Sequence, residues 1–537
     1  MDIQVKNIDH LGIVAGIVDQ IGLVEEIDRQ IEKHPQQLIS TGQVVKAMIL
    51  NGLGFVSAPL YLFGEFFVGK ATEHLLGEGI FPEHLNDDRI GRALDSLWNH
   101  GLTAMFTSIA MLAQRQFNLE VESLHLDSSS FSVEGQYEIE SSGESSESIE
   151  EISITYGHSK DHRPDLKQFL MDVICTGDGD VPLFVRIADG NESDKAVFAQ
   201  LMRQFREEWH LDSIYIADSA LYSADNLQQL GQLRWITRVP ASLKAVNILV
   251  ESLEEETFED SEVPGYRIAS CCSDYGKIRQ RWLVIESESG RARQLKQLEK
   301  RIQKKLILAK GTLKRLMKQD FACAADAEIA AHKLSQAWKY HTLESLKIET
   351  HLNYAQVGRP SKDQEPERIT YRVTAAIVDD PEILKIARRR AGRFILATNI
   401  LDTETLPNDE VLREYKGQQS SERGFRFLKD PLFFTSSVFL NTPRRVAALA
   451  MVMGLCLLVY TLGQRQLRQA LAQEQETIPN QLGKPTESPT LRWVFQCFQA
   501  VHIVTVNCQK QVSNLTDARL WILRFLGSAC QKYYLLC

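Results

Sequence analysis

No two cysteines in the chain are spaced as CxxC, and the cysteine total, nine in 537 residues, is odd. That argues against a disulfide framework and against a cysteine-ligated zinc site, and favours free thiols in a reducing compartment. The opening residues, MDIQVKNIDHLG, lack a basic region followed by an apolar core, so no secretory leader is expected there. An excess of positive charge is also missing: 60 Lys and Arg stand against 70 Asp and Glu, a formal net charge of -10. Total charge therefore does not announce a nucleic-acid partner, which must be sought in local basic clusters. Long apolar runs are scarce. One uncharged stretch, VAALAMVMGLCLLVYTLG at 446–463, is about long enough to span a bilayer. Gly454, Tyr460 and Thr461 interrupt it, and it reads as a helix buried against a sheet.

What is present is the composition of a soluble globular protein, 44% hydrophobic and 24% charged, with chain enough for about three or four domains. Residues 1–115 read as an all-helical N-terminal domain. Ser40 or Thr41 can cap QVVKAMILNGLGF, and Asn86 or Asp87 can cap RIGRALDSLW. Arg89 and Arg92 permit a helix-turn-helix that recognises a DNA end, and a plain helical bundle fits as well.

From 121 the pattern changes. LHLDSSSF alternates as a strand does, and the acidic, serine-rich segment 134–151 reads as a solvated loop. Three strand-like runs follow, ISITYGHSK, KQFLMDVICTG and VPLFVRIADG. The amphipathic KAVFAQLMRQFREEWH, the buried strand SIYIAD ending in Asp218, a short helix ADNLQQLG and the strand RWITRVP come next. The expected class is α/β: a mixed sheet with flanking helices, begun by 116–240. Residues 241–390 read as an α+β insertion. Within it, 291–318 hold eleven Lys or Arg against one acid, Glu299. Leu295, Ile302, Ala309 and Leu316 recur at heptad spacing, and EIAAHKLSQAWKYHTLESL is the expected antiparallel partner. The basic face is either simply solvated or a phosphate contact. Residues 391–537 resume the sheet with RFILATNI, start a helix at Pro407-Asn408-Asp409 and end in helices.

Three carboxylates stand out. Asp127 lies within the first strand and Asp218 at the end of a later one. Glu422 lies in the helical segment YKGQQSSERGFRFLKDP. Around Glu422, Tyr415, Gln418, Arg426 and Lys429 recur at steps of four and seven, which return to one helix face. Each acid alone has an ordinary explanation: a strand-end residue, a helix cap, a surface acid. Together, converging carboxylates call for a hard divalent cation, and Mg2+ suits oxygen ligands. Further on, His158, His162, Arg163 and Lys167 read as a polar rim, and Trp235 as a sheet tryptophan.

This order of acids, with Tyr415, Glu422 and Lys429 at the spacing of a Tyr-x2-Arg-x3-Glu-x6-Lys signature, resembles the DDE transposases of bacterial insertion sequences. YGHSKDHRPDLKQ, GNESD and SERGFRFLKDP are similar to segments of a subgroup with a helical N-terminal domain. The resemblance implies an RNase H-like fold, with the insertion placed before the last catalytic helix. It implies Asp127, Asp218 and Glu422 as catalytic ligands of two Mg2+ ions, with Mn2+ as a substitute. Tyr415, Gln418, Arg426 and Lys429 become the expected DNA-binding residues, although Gln418 departs from the signature arginine. In such enzymes hydrolysis exposes a 3′-OH that attacks target DNA. The implied partners are transposon-end and target DNA and a second copy of the chain in a homodimer on DNA, with no membrane and a cytoplasmic location. The alternatives are a noncatalytic DNA-binding descendant of a transposase and a membrane-anchored protein using 446–463.

Overall fold

The computed structural model describes residues 3–32, 37–55, 62–135, 137, 151–354, 365–430, 440, 442–507 and 509–536; side chains at 194–196 and 419–423 are outside the description. Most of the acidic stretch 134–151 therefore lies outside the described residues.

The alternating run beginning at Ser123 becomes β1 (Ser123–Val133). KQFLMDVICT forms β2 (Lys167–Thr176), which is buried along nearly its whole length, and β3 is Pro182–Ala188. Helix Asp194–Trp209 carries the chain to β4 (Ile214–Ala217), and helix Ala224–Leu230 carries it to β5 (Arg234–Arg238). β1 pairs antiparallel with β2, and β2 with β3; β4 lies parallel to β1, and β5 to β4. The spatial order 3-2-1-4-5, three antiparallel strands then two parallel ones reached by helical crossovers, is the RNase H-like arrangement.

The sheet does not end there. Strands β6 (Glu259–Asp260), β7 (Tyr266–Tyr275) and β8 (Ile278–Ser287) continue it through β9 (Arg393–Thr398), giving the order β3-β2-β1-β4-β5-β9-β8-β7-β6. Part of the segment read as an insertion thus hydrogen-bonds into the central sheet. The basic helix, Glu288–Leu316, buries Leu298, Ile302, Ala309 and Leu313. Its expected helical partner is shorter than the sequence suggested: helix Ala324–Gln336 stops, and His341–Asn353 pairs with Arg368–Asp379 as a β-hairpin. HTLESLKIETHLN carries strand-like alternation, and that local preference ends the helix. ISITYGHSK also departs from expectation, contributing only the bridge Thr155–Gln168. Here a Cβ on Gly157 would lie 2.1 Å from the Gly190 carbonyl, just past the end of β3, so the segment passes that turn too closely to run on as a regular strand.

The N-terminal region is helical, and its caps are those the sequence marks. Ser40 and Gln43 form a capping box, and Asn86 accepts from the Arg89 N–H at 2.9 Å. One strand is added to the helices: Ile3–Asn7 pairs with His502–Val506, which in turn pairs with Gln509–Ser513. The Arg89 guanidinium donates to the Ile39 carbonyl at 2.9 and 3.2 Å, and Arg92 pairs with Asp88, so Arg89 is committed to the fold. The apolar segment 446–463 lies in helix Pro443–Glu474, whose most apolar window is 94% buried inside the protein. Gly454 lets this helix approach closely: a Cβ there would meet Val185 of β3 at 3.0 Å and Phe106 at 3.3 Å. One continuous core runs from the N-terminal helices through this long helix to the sheet.

Candidate active site

Alternation along β1 sends His125, Asp127, Ser129 and Phe131 to one face of the sheet. β1 and β4 pair in parallel from Ser123↔Ile214 to Leu126↔Ala217, so one further step sets Asp127 beside Asp218 on that same face. Asp218 is exposed just past the end of β4, and Asp127 is half-buried. Backbone amides help to orient both carboxylates: Asp127 Oδ1 accepts from the Ser128 N–H at 2.8 Å, and Asp218 Oδ1 from Ala220 N–H at 2.8 Å. Thr237 Oγ1 donates to the Asp218 carbonyl at 2.7 Å, fixing the strand end against β5.

The helices Asn408–Gly417 and Gln419–Leu428 cover this face, joined at Gln418. Two contacts fix the second helix along β1. Gln418 meets His125 and Leu126, just before Asp127, and the Phe425 ring lies 6.4 Å from Phe131, beyond it. Position 422 falls on the helix between these contacts. The Glu422 side chain lies outside the described residues.

The expected DNA-facing residues occupy varied surroundings. Arg426 is exposed and makes no ion pair among the described residues. Lys429 lies 2.7 and 2.8 Å from the Asp161 carboxylate oxygens, with its ammonium 5.2 Å over the Phe131 ring. Tyr415 is half-buried against Phe394, ring centroids 6.4 Å apart. Gln418 is 7% exposed, and both ends of its amide are engaged by β1. That is a protein-internal setting, unlike the phosphate contact expected from the signature. Trp235 is fully buried, and Arg163 pairs with Asp165, in keeping with a core residue and a polar rim.

Other groups here carried weak sequence signals. Arg238 is the register neighbour of Asp218 on the next strand, since β4 and β5 pair through Ala217↔Thr237. Its guanidinium lies 5.1 Å over the Phe394 ring. Beside it opens a cavity of ≈ 440 Å³, lined by Arg238, Arg301 and Lys339 among others, with no acidic residue in its described lining. His125 is 1% exposed, and burial drives its pKa down to about 4 against the raising effect of the Gln418 hydrogen bond, so the imidazole is neutral. Glu414, 4.0 Å from His125, has its pKa raised, first by burial. The signal for His125 was available: it stands two residues before Asp127, on the same strand face.

Asp127 and Asp218 supply hard oxygen donors at neighbouring positions, one exposed and one half-buried, which fits a divalent cation such as Mg2+ or Mn2+. No group of three potential ligands occurs among the described residues; the third expected ligand is Glu422.

Residues 124–461, more than half of the chain, match the family described as the transposase DDE domain. The chain belongs to the DDE transposases. Residues 3–111 match a domain of unknown function, DUF4277, which precedes the transposase DDE domain in the chain. No curated protein sequence matches the transposase. Among solved structures, it is similar to a piggyBac transposase in a synaptic complex with hairpin DNA. That match is 8% identical with a TM-score of 0.38, covering 99% of this chain and 84% of that one.

Proposed function

We propose that the transposase cuts DNA at transposon ends and joins the freed 3′-OH to target DNA, with Asp127, Asp218 and Glu422 as the divalent-metal ligands. The observation that carries this reading is the register of β1 and β4, which sets two acids from distant sequence side by side on the face covered by the helix bearing position 422. Two Mg2+ ions, or Mn2+ in their place, supply activation of the attacking oxygen and stabilisation of the leaving one when bound. The chain's own part is to hold acidic oxygens in place through the Ser128 and Ala220 amides and to leave the end of β4 open where Asp218 is exposed.

DNA would lie where basic groups face outward. Arg426 lies in the last turn of the helix bearing position 422, and Lys429 caps that helix's C-terminal end. Arg238 stands beside Asp218, and the cavity it shares with Arg301 and Lys339 leads to the exposed lysines of helix Glu288–Leu316. Phosphates would draw on these cations, with Tyr415 beside them. Joining two ends requires two such centres, so the working form on DNA is taken to be a homodimer in the cytoplasm.

The test is nicking of DNA carrying the element's own terminal repeats, with Mg2+ or Mn2+. Wild type should nick; Asp127→Asn and Asp218→Asn should fall by a factor of at least about 10³, as expected when a group acting on developing charge is lost. Undiminished nicking by both variants would remove these acids from the chemistry.

A further inference from the structure

The family signature places an arginine where this chain has Gln418, and the structure gives the glutamine an internal setting. Its Nε2 donates to the Leu126 carbonyl at 2.9 Å, the peptide group immediately before Asp127. Its Oε1 lies 3.2 Å from His125 Nδ1. Because Oε1 can only accept, His125 carries its proton on Nδ1. The preceding residue is glycine, and a Cβ there would come within 2.9 Å of His125 Cε1. Gly417 thus permits the close approach that the amide then fastens.

The helix geometry gives this fastening a direction. Residues 418, 422 and 425 stand at i, i+4 and i+7, one stripe of a helix. The first position of the stripe is tied to β1 before Asp127, and the last packs on Phe131 after it. Position 422 lies between two fixed points on the strand that carries Asp127.

We infer that Gln418 is a positioning residue: through His125 and the Leu126 carbonyl it sets the helix that carries Glu422 at the height of Asp127. An arginine at 418 would bring a charge into this nearly dry contact, at a desolvation cost the amide avoids. The signature position has become a clamp on the acid-bearing helix, and phosphate binding falls to the outward cations. This rests on Asp127 and Glu422 acting together.

The experiment compares full-length wild type, Gln418→Leu, Gln418→Arg, His125→Asn and His125→Leu. It measures Mn2+ binding to the DNA-free protein by titration calorimetry, end-DNA affinity across a salt series, and the thermal midpoint. Gln418→Leu and His125→Leu should weaken Mn2+ binding by about tenfold or more, the usual scale for groups that orient metal ligands, with end-DNA affinity and its salt slope unchanged. His125→Asn keeps an N–H donor for Gln418 and should recover most of the Mn2+ affinity. Gln418→Arg should behave as Gln418→Leu. The proposal is overturned if the folded Gln418 variants bind Mn2+ as wild type does. It is equally overturned if Gln418→Arg tightens end-DNA binding and steepens its salt slope. Should Gln418→Leu fail to fold, His125→Asn against His125→Leu decides alone. Asp127→Asn in the same titration separates the two levels: unaltered Mn2+ binding there sinks the acidic site itself, whereas its loss beside inert Gln418 variants sinks only the clamp.

Discussion

Arg465 and Asp178 form an ion pair between the C-terminal part of the most apolar helix and the turn that joins β2 to β3. Nε donates to Oδ1 at 2.8 Å, and the terminal Nη2 donates to Oδ2. The same guanidinium donates to the carbonyls of Phe117 and Asn118 at 3.0 and 3.3 Å, where helix Leu102–Phe117 ends. One cation therefore ties the N-terminal helices, the sheet and the long helix together. Removing one partner of a buried pair leaves the other uncompensated, so Arg465→Met should cost about 3 kcal/mol. Urea unfolding checks this, and an unchanged midpoint would contradict it.

Gly417→Ala tests the fit at the acid-bearing helix. The added methyl meets the His125 ring at 2.9 Å, an overpacking that should cost about 1–3 kcal/mol. Metal-dependent nicking should fall more than the thermal midpoint suggests, because the displaced element carries Glu422. Equal stability and nicking in the two proteins would refute the fit.

His10 gives a pH prediction. It is buried between the rings of Phe55 and Phe495, at 4.8 and 4.5 Å, with Nε2 2.8 Å from the Leu53 carbonyl. Burial, the largest cause, brings its pKa down to about 4. The unfolded chain takes up this proton below about pH 6.5 and the folded one does not, so stability is full above 6.5 and is lost as pH falls toward 4. The wild-type thermal midpoint should drop across that window, and His10→Gln should show a shallower drop. Parallel curves for the two proteins would rule His10 out as a source of acid sensitivity.

Arg426 and Lys429 should differ in their salt signatures. Arg426 is exposed and has no ion pair among the described residues, whereas Lys429 already neutralises Asp161. Arg426→Ala should lower the slope of log affinity for end DNA against log salt by about one. Lys429→Ala should lower it less, since a phosphate must first displace Asp161. Binding measured at several salt concentrations distinguishes them, and an equal or reversed order would be a failure.

These contrasts show what could be read from residues alone. Asp127 within an alternating strand and Asp218 at the end of a buried one were legible because strand alternation is local, and the parallel pairing of their strands follows from the helix between them. The caps at Ser40 and Asn86 were legible for the same reason. The strand at His341–Asn353 was lost to a neighbouring helical pattern that ran into it. The burial of Gln418 and the internal hydrogen bonds of half-buried Arg89 were not legible, since each depends on a carbonyl far away in sequence, at Leu126 and Ile39. The pairing of Ile3–Asn7 with His502–Val506 is similarly remote.

Helix Leu11–Ile21 meets helix Ser528–Leu535 so tightly that a Cβ on Gly16 would strike the backbone of Cys530 at 2.5 Å, and the Ile13 amide donates to the Tyr534 hydroxyl. A ribosome delivers that partner 521 positions after Ile13. Early helices must wait, partly uncovered, until synthesis has passed nearly the whole chain. A message cut short upstream of this point yields a chain whose first helix keeps its other neighbours and lacks the cover on its glycine face, an opening for proteases.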